Sequence, residues 1–140
     1  MKNRGRENYS LIKMSEKIKI YTRSSGVVSA EISFERNPKT AKAILDALPI
    51  LAKANTWGDE IYFRIKINLL EENAQQDVEI GDLGYWPQGS GFCIFFGRTP
   101  ISRGDRPKAA SPVNVFGRIL EDSTVFKKTK SGEEIRIEKG

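Results

Sequence analysis

Residues Gly81–Gly97 read GDLGYWPQGSGFCIFFG, a turn signal over Trp86-Pro87-Gln88-Gly89-Ser90-Gly91 followed by the most apolar run of the chain, Phe92-Cys93-Ile94-Phe95-Phe96. A short apolar run behind Gly/Pro punctuation predicts a central strand entered through a tight bend. A strand apolar on both faces has to be covered on both.

The flanking segments supply candidates for that cover. Upstream, Ile61, Phe63, Ile65 and Ile67 alternate with Tyr62, Arg64 and Lys66, which predicts a strand with Arg64 turned away from the core. Between the two, Glu71 to Asp77 reads as a polar loop and Val78-Glu79-Ile80 as a short strand. Downstream, Thr99 to Pro112 carries three prolines, a glycine and mixed charges and reads as a surface loop. Val113 to Ile119 follows as a strand. Further out, Ile18 and Ile20 alternate with lysines and Val28, Ala30, Ile32 and Phe34 with polar residues, a hairpin pattern around Ser24-Ser25-Gly26. Asn37-Pro38 marks a helix entry, and Ala41, Ile44, Leu45 and Leu48 form one buried stripe that Pro49 ends. Asp122 or Ser123 begins a short helix through Lys128, and Ile135 and Ile137 read as a final edge strand. Many short strands with two short helices predict a mainly β fold, a closed antiparallel barrel of about eight strands, because closure removes exposed edges.

At 140 residues the chain makes one domain, expected over residues 16–140 behind a loose arm at 1–15, with Met14 an alternative start. No window approaches the length of a membrane helix, and the basic, polar N-terminus has no apolar leader, so the expectation is a cytoplasmic protein without membrane contact. Histidine is absent and Cys93 is the single cysteine. This removes Cys/His zinc sites, Ser-His-Asp and Cys-His catalysis and any intrachain disulfide; no metal or cofactor is expected. The formal charge is +5, but basic residues are interleaved with acids, which disfavours nucleic acid as a partner.

Several of these segments resemble cyclophilins. Asn37-Pro38-Lys39-Thr40-Ala41-Lys42 is similar to the segment opening their first helix, Tyr62-Phe63-Arg64-Ile65 to their Phe-His-Arg-Val strand, Gly89 to Ile94 to their Gly-Ser-Gln-Phe-Phe-Ile, and Val113 to Ile119 to their His-Val-Val-Phe-Gly-Lys-Val. Trp57 to Phe63, Gly81 to Pro87 and Phe92 to Gly97 resemble a small group of archaeal and bacterial cyclophilin-like proteins more closely still. The resemblance spans roughly residues 16 to 139. It implies a cyclophilin-like barrel and a groove on the outer face of the sheet, where Arg64 matches the arginine that supports the twisted imide of an X-Pro bond. The chain departs from the pattern where Gly91 replaces glutamine, Cys93 a substrate-lining phenylalanine and Val113 a histidine.

These substitutions favour a non-enzymatic module that binds a small molecule or an extended peptide beside Tyr62, Arg64, Tyr85, Trp86 and Phe92. One alternative is a weak peptidyl-prolyl isomerase using Arg64. Another is an accessory subunit of an amidohydrolase-type complex, since some cyclophilin-like domains resemble such subunits. Cys93, inside an apolar run, is expected to pack rather than react. Asp59, Glu60, Asp82 and Asp105 show no pairing by spacing and are expected to be solvated or to cap turns.

Overall fold

Alternation in the N-terminal hairpin becomes β1 (Ser15–Thr22) and β2 (Gly26–Ser33) in the computed structural model, which describes residues 14–140. Ile18, Ile20, Val28, Ala30 and Ile32 point inward. Gly26 takes φ +72° at the turn, a left-handed conformation that its missing Cβ makes accessible. Of the expected N-terminal arm, residues 1–13 lie outside the described residues, while Ser15 already belongs to β1.

Helix α1 (Pro38–Ala47) buries Thr40, Ala41 and Ile44 and carries proline in its first turn as the sequence predicts. Asn37 does not cap it. Its Nδ2 donates to the Val115 carbonyl at 2.8 Å, and its Oδ1 accepts from the Asn73 amide at 2.7 Å. The cap comes from Glu72, whose carboxylate accepts from the amides of Lys39 and Thr40 at 3.1 Å each, a negative charge at the positive helix end.

The remaining strands are β3 (Ile50–Lys53), β4 (Asn55–Thr56), β5 (Glu60–Arg64), β6 (Gln75–Asp77), β7 (Asp82–Trp86), β8 (Gly91–Phe95), β9 (Lys108–Ile119) and β10 (Glu134–Lys139). Short 3-10 helices span Pro87–Gly89 and Ser123–Lys128, the second capped by Asp122, which accepts from the Thr124 amide at 3.0 Å. Pairing runs antiparallel in the order β3-β10-β1-β2-β9-β7-β8-β5-β4, with β6 added to β9. The fold is thus mainly β, with more strands than the eight expected. The hydrogen-bonded path does not close on itself, since β3 lies near β5 without pairing to it.

Three expectations are corrected. Ile135 and Ile137 are not at an edge, because β3 pairs outside β10. The short strand lies at Gln75–Asp77 rather than at Val78–Ile80. The predicted loop Thr99–Pro112 ends early, because β9 begins at Lys108 and continues through Pro112. Proline is tolerated there because this half of β9 pairs only with β6, across a register shift between Gln75 and Asp77.

β8 is central, between β5 and β7, and all its residues are buried. Its side chains alternate between two cores. Phe92 and Ile94 enter the larger one inside the sheet, where Phe92 stacks on Phe63 with ring centroids 5.1 Å apart. Cys93 and Phe95 enter a smaller outer one with Val78, Ala109, Val113 and Val115.

The chain from Ile65 to Ala74 has no regular structure of its own and is held by buried polar groups. Asn114, fully buried, accepts from the Glu72 amide at 2.9 Å and donates to the Leu70 carbonyl at 3.1 Å and to Thr40 Oγ1 at 3.0 Å. Removing that side chain leaves buried partners unsatisfied, at a cost of about 1–3 kcal/mol. Asn114→Ala is therefore expected to lower the urea midpoint by that amount of stability and to open residues 66–74 to proteolysis. An unchanged midpoint would contradict the anchoring role.

Candidate functional site

Period two along β5 sends Ile61 and Phe63 inward and Glu60, Tyr62 and Arg64 to the outer face. Register then fixes their neighbours on β8: Glu60 lies opposite Phe95, Tyr62 opposite Cys93 and Arg64 opposite Gly91. Beyond β8 runs β7, where Gly84 pairs with Cys93 and Trp86 with Gly91. A Cβ on Gly84 would come 3.0 Å from Val113 Cγ2, so glycine there lets the outer layer settle onto the sheet.

Trp86 leaves the end of β7 and folds back over the bend that follows. Its ring covers Gly89 and Gly91, and a side chain at Gly89 would collide with the indole. Indole Nε1 donates to Ser111 Oγ on β9 at 2.6 Å, which fixes the ring plane. Tyr62 meets Trp86 edge to face, with planes at 87° and centroids 6.4 Å apart. Both aromatics are half-buried.

Together with Trp57, Glu60, Cys93, Ala109, Ala110 and Val113, these two rings line a pocket of about 220 Å³ on the outer face. Trp57 belongs to the tight turn before β5, where Gly58 takes φ +60° and the Trp57 amide donates to the Glu60 carbonyl at 2.9 Å. Gly58 is pressed against the chain at Arg98 and Pro100, so the turn is seated on a neighbouring loop. Small side chains at Ala109 and Ala110 leave the space open.

Glu60 departs from the expectation of a solvated or turn-capping acid. It is 6% exposed, and its Oε1 is buried with no hydrogen-bond partner among the described residues. Burial raises its pKa from 4.5 to about 7, against a hydrogen bond with the Cys93 thiol that acts in the other direction. Burial also pushes the Cys93 thiol well above its ordinary range, and the neighbouring Glu60 carboxylate adds to this. Cys93 is therefore an inert floor. Asp82 is buried too, but it accepts from the Glu79 amide at 2.9 Å, a turn-capping role as expected.

The sequence-derived site is only partly assembled. Tyr62 and Trp86 share the pocket. Tyr85 and Phe92 do not, and as ligand contacts they are corrected: both are fully buried, and the Tyr85 hydroxyl donates to the Ile67 carbonyl at 2.7 Å and accepts from the Leu69 amide at 3.1 Å. They face the core because they stand one residue out of phase with Tyr62 and Trp86. Arg64 is exposed and lines a separate depression of about 250 Å³ with Pro49, Leu51 and Ile67. A larger hollow, about 460 Å³ beside β2 and β9, is lined in part by Arg118 and Glu31, which pair with each other at 3.0 Å. Among the described residues no cluster of His, Cys, Asp and Glu could hold a metal, and no helix is long and apolar enough to cross a membrane.

A family model described as Cyclophilin-like matches residues 16–138. The solution structure of a hypothetical protein from Archaeoglobus fulgidus is similar at 41% identity, with a TM-score of 0.77 over 91% of this chain and 96% of that one. No curated protein matches.

Between pH 4.5 and about 7 the native state keeps a proton on Glu60 that the unfolded chain releases, so stability falls as pH rises through that window. Glu60→Gln carries no such charge. Denaturation at pH 5 and pH 8 is expected to show wild type losing about 3 kcal/mol relative to the variant. A difference independent of pH would mean that the carboxylate is hydrated.

Proposed function

The chain belongs to the cyclophilin-like family, and on that footing we propose that it is a binding module which takes a small molecule into the aromatic pocket on the outer face of its sheet. One observation carries this reading: the pocket walls are held in place before any ligand arrives. Trp86 is fixed by Ser111 and its glycine bed, Tyr62 by strand pairing and Trp57 by a tight turn. Preorganised apolar walls with few polar groups are the usual make-up of small-molecule sites. A compact cavity of about 220 Å³ favours a small molecule over an extended peptide.

Position supports the same reading. Cys93 and Val113 line the pocket at the places where the cyclophilin resemblance has a substrate-lining phenylalanine and a histidine. Exchange of two bulky groups for smaller ones widens the groove and strips it of polar function. The isomerase alternative draws on Arg64, which shares this face but opens onto a different depression. Catalysis by positioning and electrostatics needs its groups to converge on one bond. The sheet that carries the site is read as a barrel whose closure at β3 and β5 rests on side-chain packing.

Ligand-observed NMR with indole as the probe is expected to show binding to wild type. Ala110→Leu, a change at an exposed wall position, is expected to weaken it by about tenfold by occupying the pocket. Binding that survives this change unaltered would place the ligand elsewhere. Exchange spectroscopy on an Ala-Pro peptide is expected to show no acceleration; acceleration abolished by Arg64→Ala would establish the isomerase reading instead.

A further inference from the structure

The proposed pocket contains one ionisable acid and no basic residue among the side chains that line it. A buried carboxylate is normally paired or richly hydrogen-bonded, because isolation from water costs several kcal/mol. Glu60 has neither form of compensation at Oε1. Lys127 approaches the adjacent Asp59 at 3.9 Å and leaves Glu60 alone. The group that would complete this carboxylate is therefore missing from the chain itself, and the space beside it is where such a group would come from.

The walls restrict what that group can be. Tyr62 and Trp86 meet edge to face and Trp57 lines the same pocket, so a cation there would lie among three aromatic rings, whose faces attract it through their quadrupoles. Hydrogen-bonding capacity is scarce. Trp86 Nε1 is occupied by Ser111, and Cys93 faces Glu60. A primary ammonium brings three N–H donors and would leave most of them unsatisfied. An alkylated ammonium brings a diffuse charge, apolar methyl surface and few or no donors, which matches a pocket that is aromatic on its sides and acidic at one point.

We propose that the pocket selects an organic cation with an alkylated ammonium head, seated among Trp57, Tyr62 and Trp86 with Glu60 as its counter-charge. This rests on the small-molecule reading above and names its ligand class. Glu60 acts by charge at short range, the aromatic rings by their faces, and the alanines of β9 by leaving room. A neutral ligand of the same shape would receive the apolar contacts without the electrostatic ones.

Both tryptophans of the chain, Trp57 and Trp86, line this pocket, so intrinsic fluorescence reports on it directly. The test compares choline with its uncharged isostere 3,3-dimethylbutan-1-ol at about pH 8, where Glu60 is ionised. Wild type is expected to bind choline about tenfold more tightly than the alcohol. Glu60→Gln is expected to reduce that preference to the few-fold that the rings alone supply, and its cooperative unfolding transition shows that the variant is folded. Equal binding of both probes to wild type, or a choline preference that Glu60→Gln leaves at its wild-type size, overturns the proposal and leaves the small-molecule reading intact. If neither probe perturbs the fluorescence of wild type, the cation proposal falls, and the indole titration decides the small-molecule reading by itself.

Discussion

β8 has no face that water can wet. Five consecutive buried residues in one strand, with side chains alternating up and down, force the protein to build apolar cover on both sides of its sheet. An antiparallel sheet commonly leaves one face solvated, so the outer cover is the unusual requirement. On the inner side Phe92 and Ile94 join the large core beneath α1. On the outer side Cys93 and Phe95 need a second layer, which the first half of β9, the segment at Val78 and the rings of Tyr62 and Trp86 provide. That layer is thin and built partly from alanine, and the pocket is where it is incomplete. Site and fold thus derive from the same constraint.

Buried polar groups do for the Ile65–Ala74 segment what strand pairing does elsewhere. Asn114, Asn37 and the Tyr85 hydroxyl are all buried, and each is aimed at the backbone of this segment. A fully satisfied network of this kind specifies one path for the chain where apolar packing alone would allow several. Glu72 makes the arrangement reciprocal. The segment that α1 and β9 hold in place also supplies the carboxylate that caps α1.

The larger part of the fold was legible in the sequence because its signals were periodic. The β1–β2 hairpin, α1, the face of β5 that carries Arg64, and β8 all follow from spacing that a local window contains. β3 and β4 escaped because strands of four and two residues are too short to show alternation. The start of β9 was hidden by Pro112, which reads as loop unless the partner strand is known to be short and bulged. The site was legible only in part. Tyr62 and Trp86 carried a visible aromatic signal, whereas Tyr85 and Phe92 carried the same signal one residue out of phase, and phase is set by register. Glu60 looks like a solvated acid next to Asp59. Only the cover contributed by β9, distant in the chain, turns it into a buried one, and no local pattern encodes that. The alternation read from Ile61 to Ile67 left Glu60 out; carried two residues back from Tyr62, the same parity sets Glu60 on the face of Tyr62.

Pro112 lends β9 a double character. From Asn114 onward the strand is tied to β7 and β2 by backbone ladders, while its first residues pair only with the three-residue β6 across a register shift. Side chains fasten that part of the wall in place of a ladder: Thr99 Oγ1 donates to the Lys108 carbonyl at 2.6 Å, and Gln76 Nε2 donates to the Ala109 carbonyl at 2.9 Å. Segments with few ladder bonds open at a fraction of the free energy that global unfolding needs. Pro112 marks where backbone pairing to the main sheet gives way to side-chain tethers, so the wall of the pocket and its floor depend on different kinds of bond.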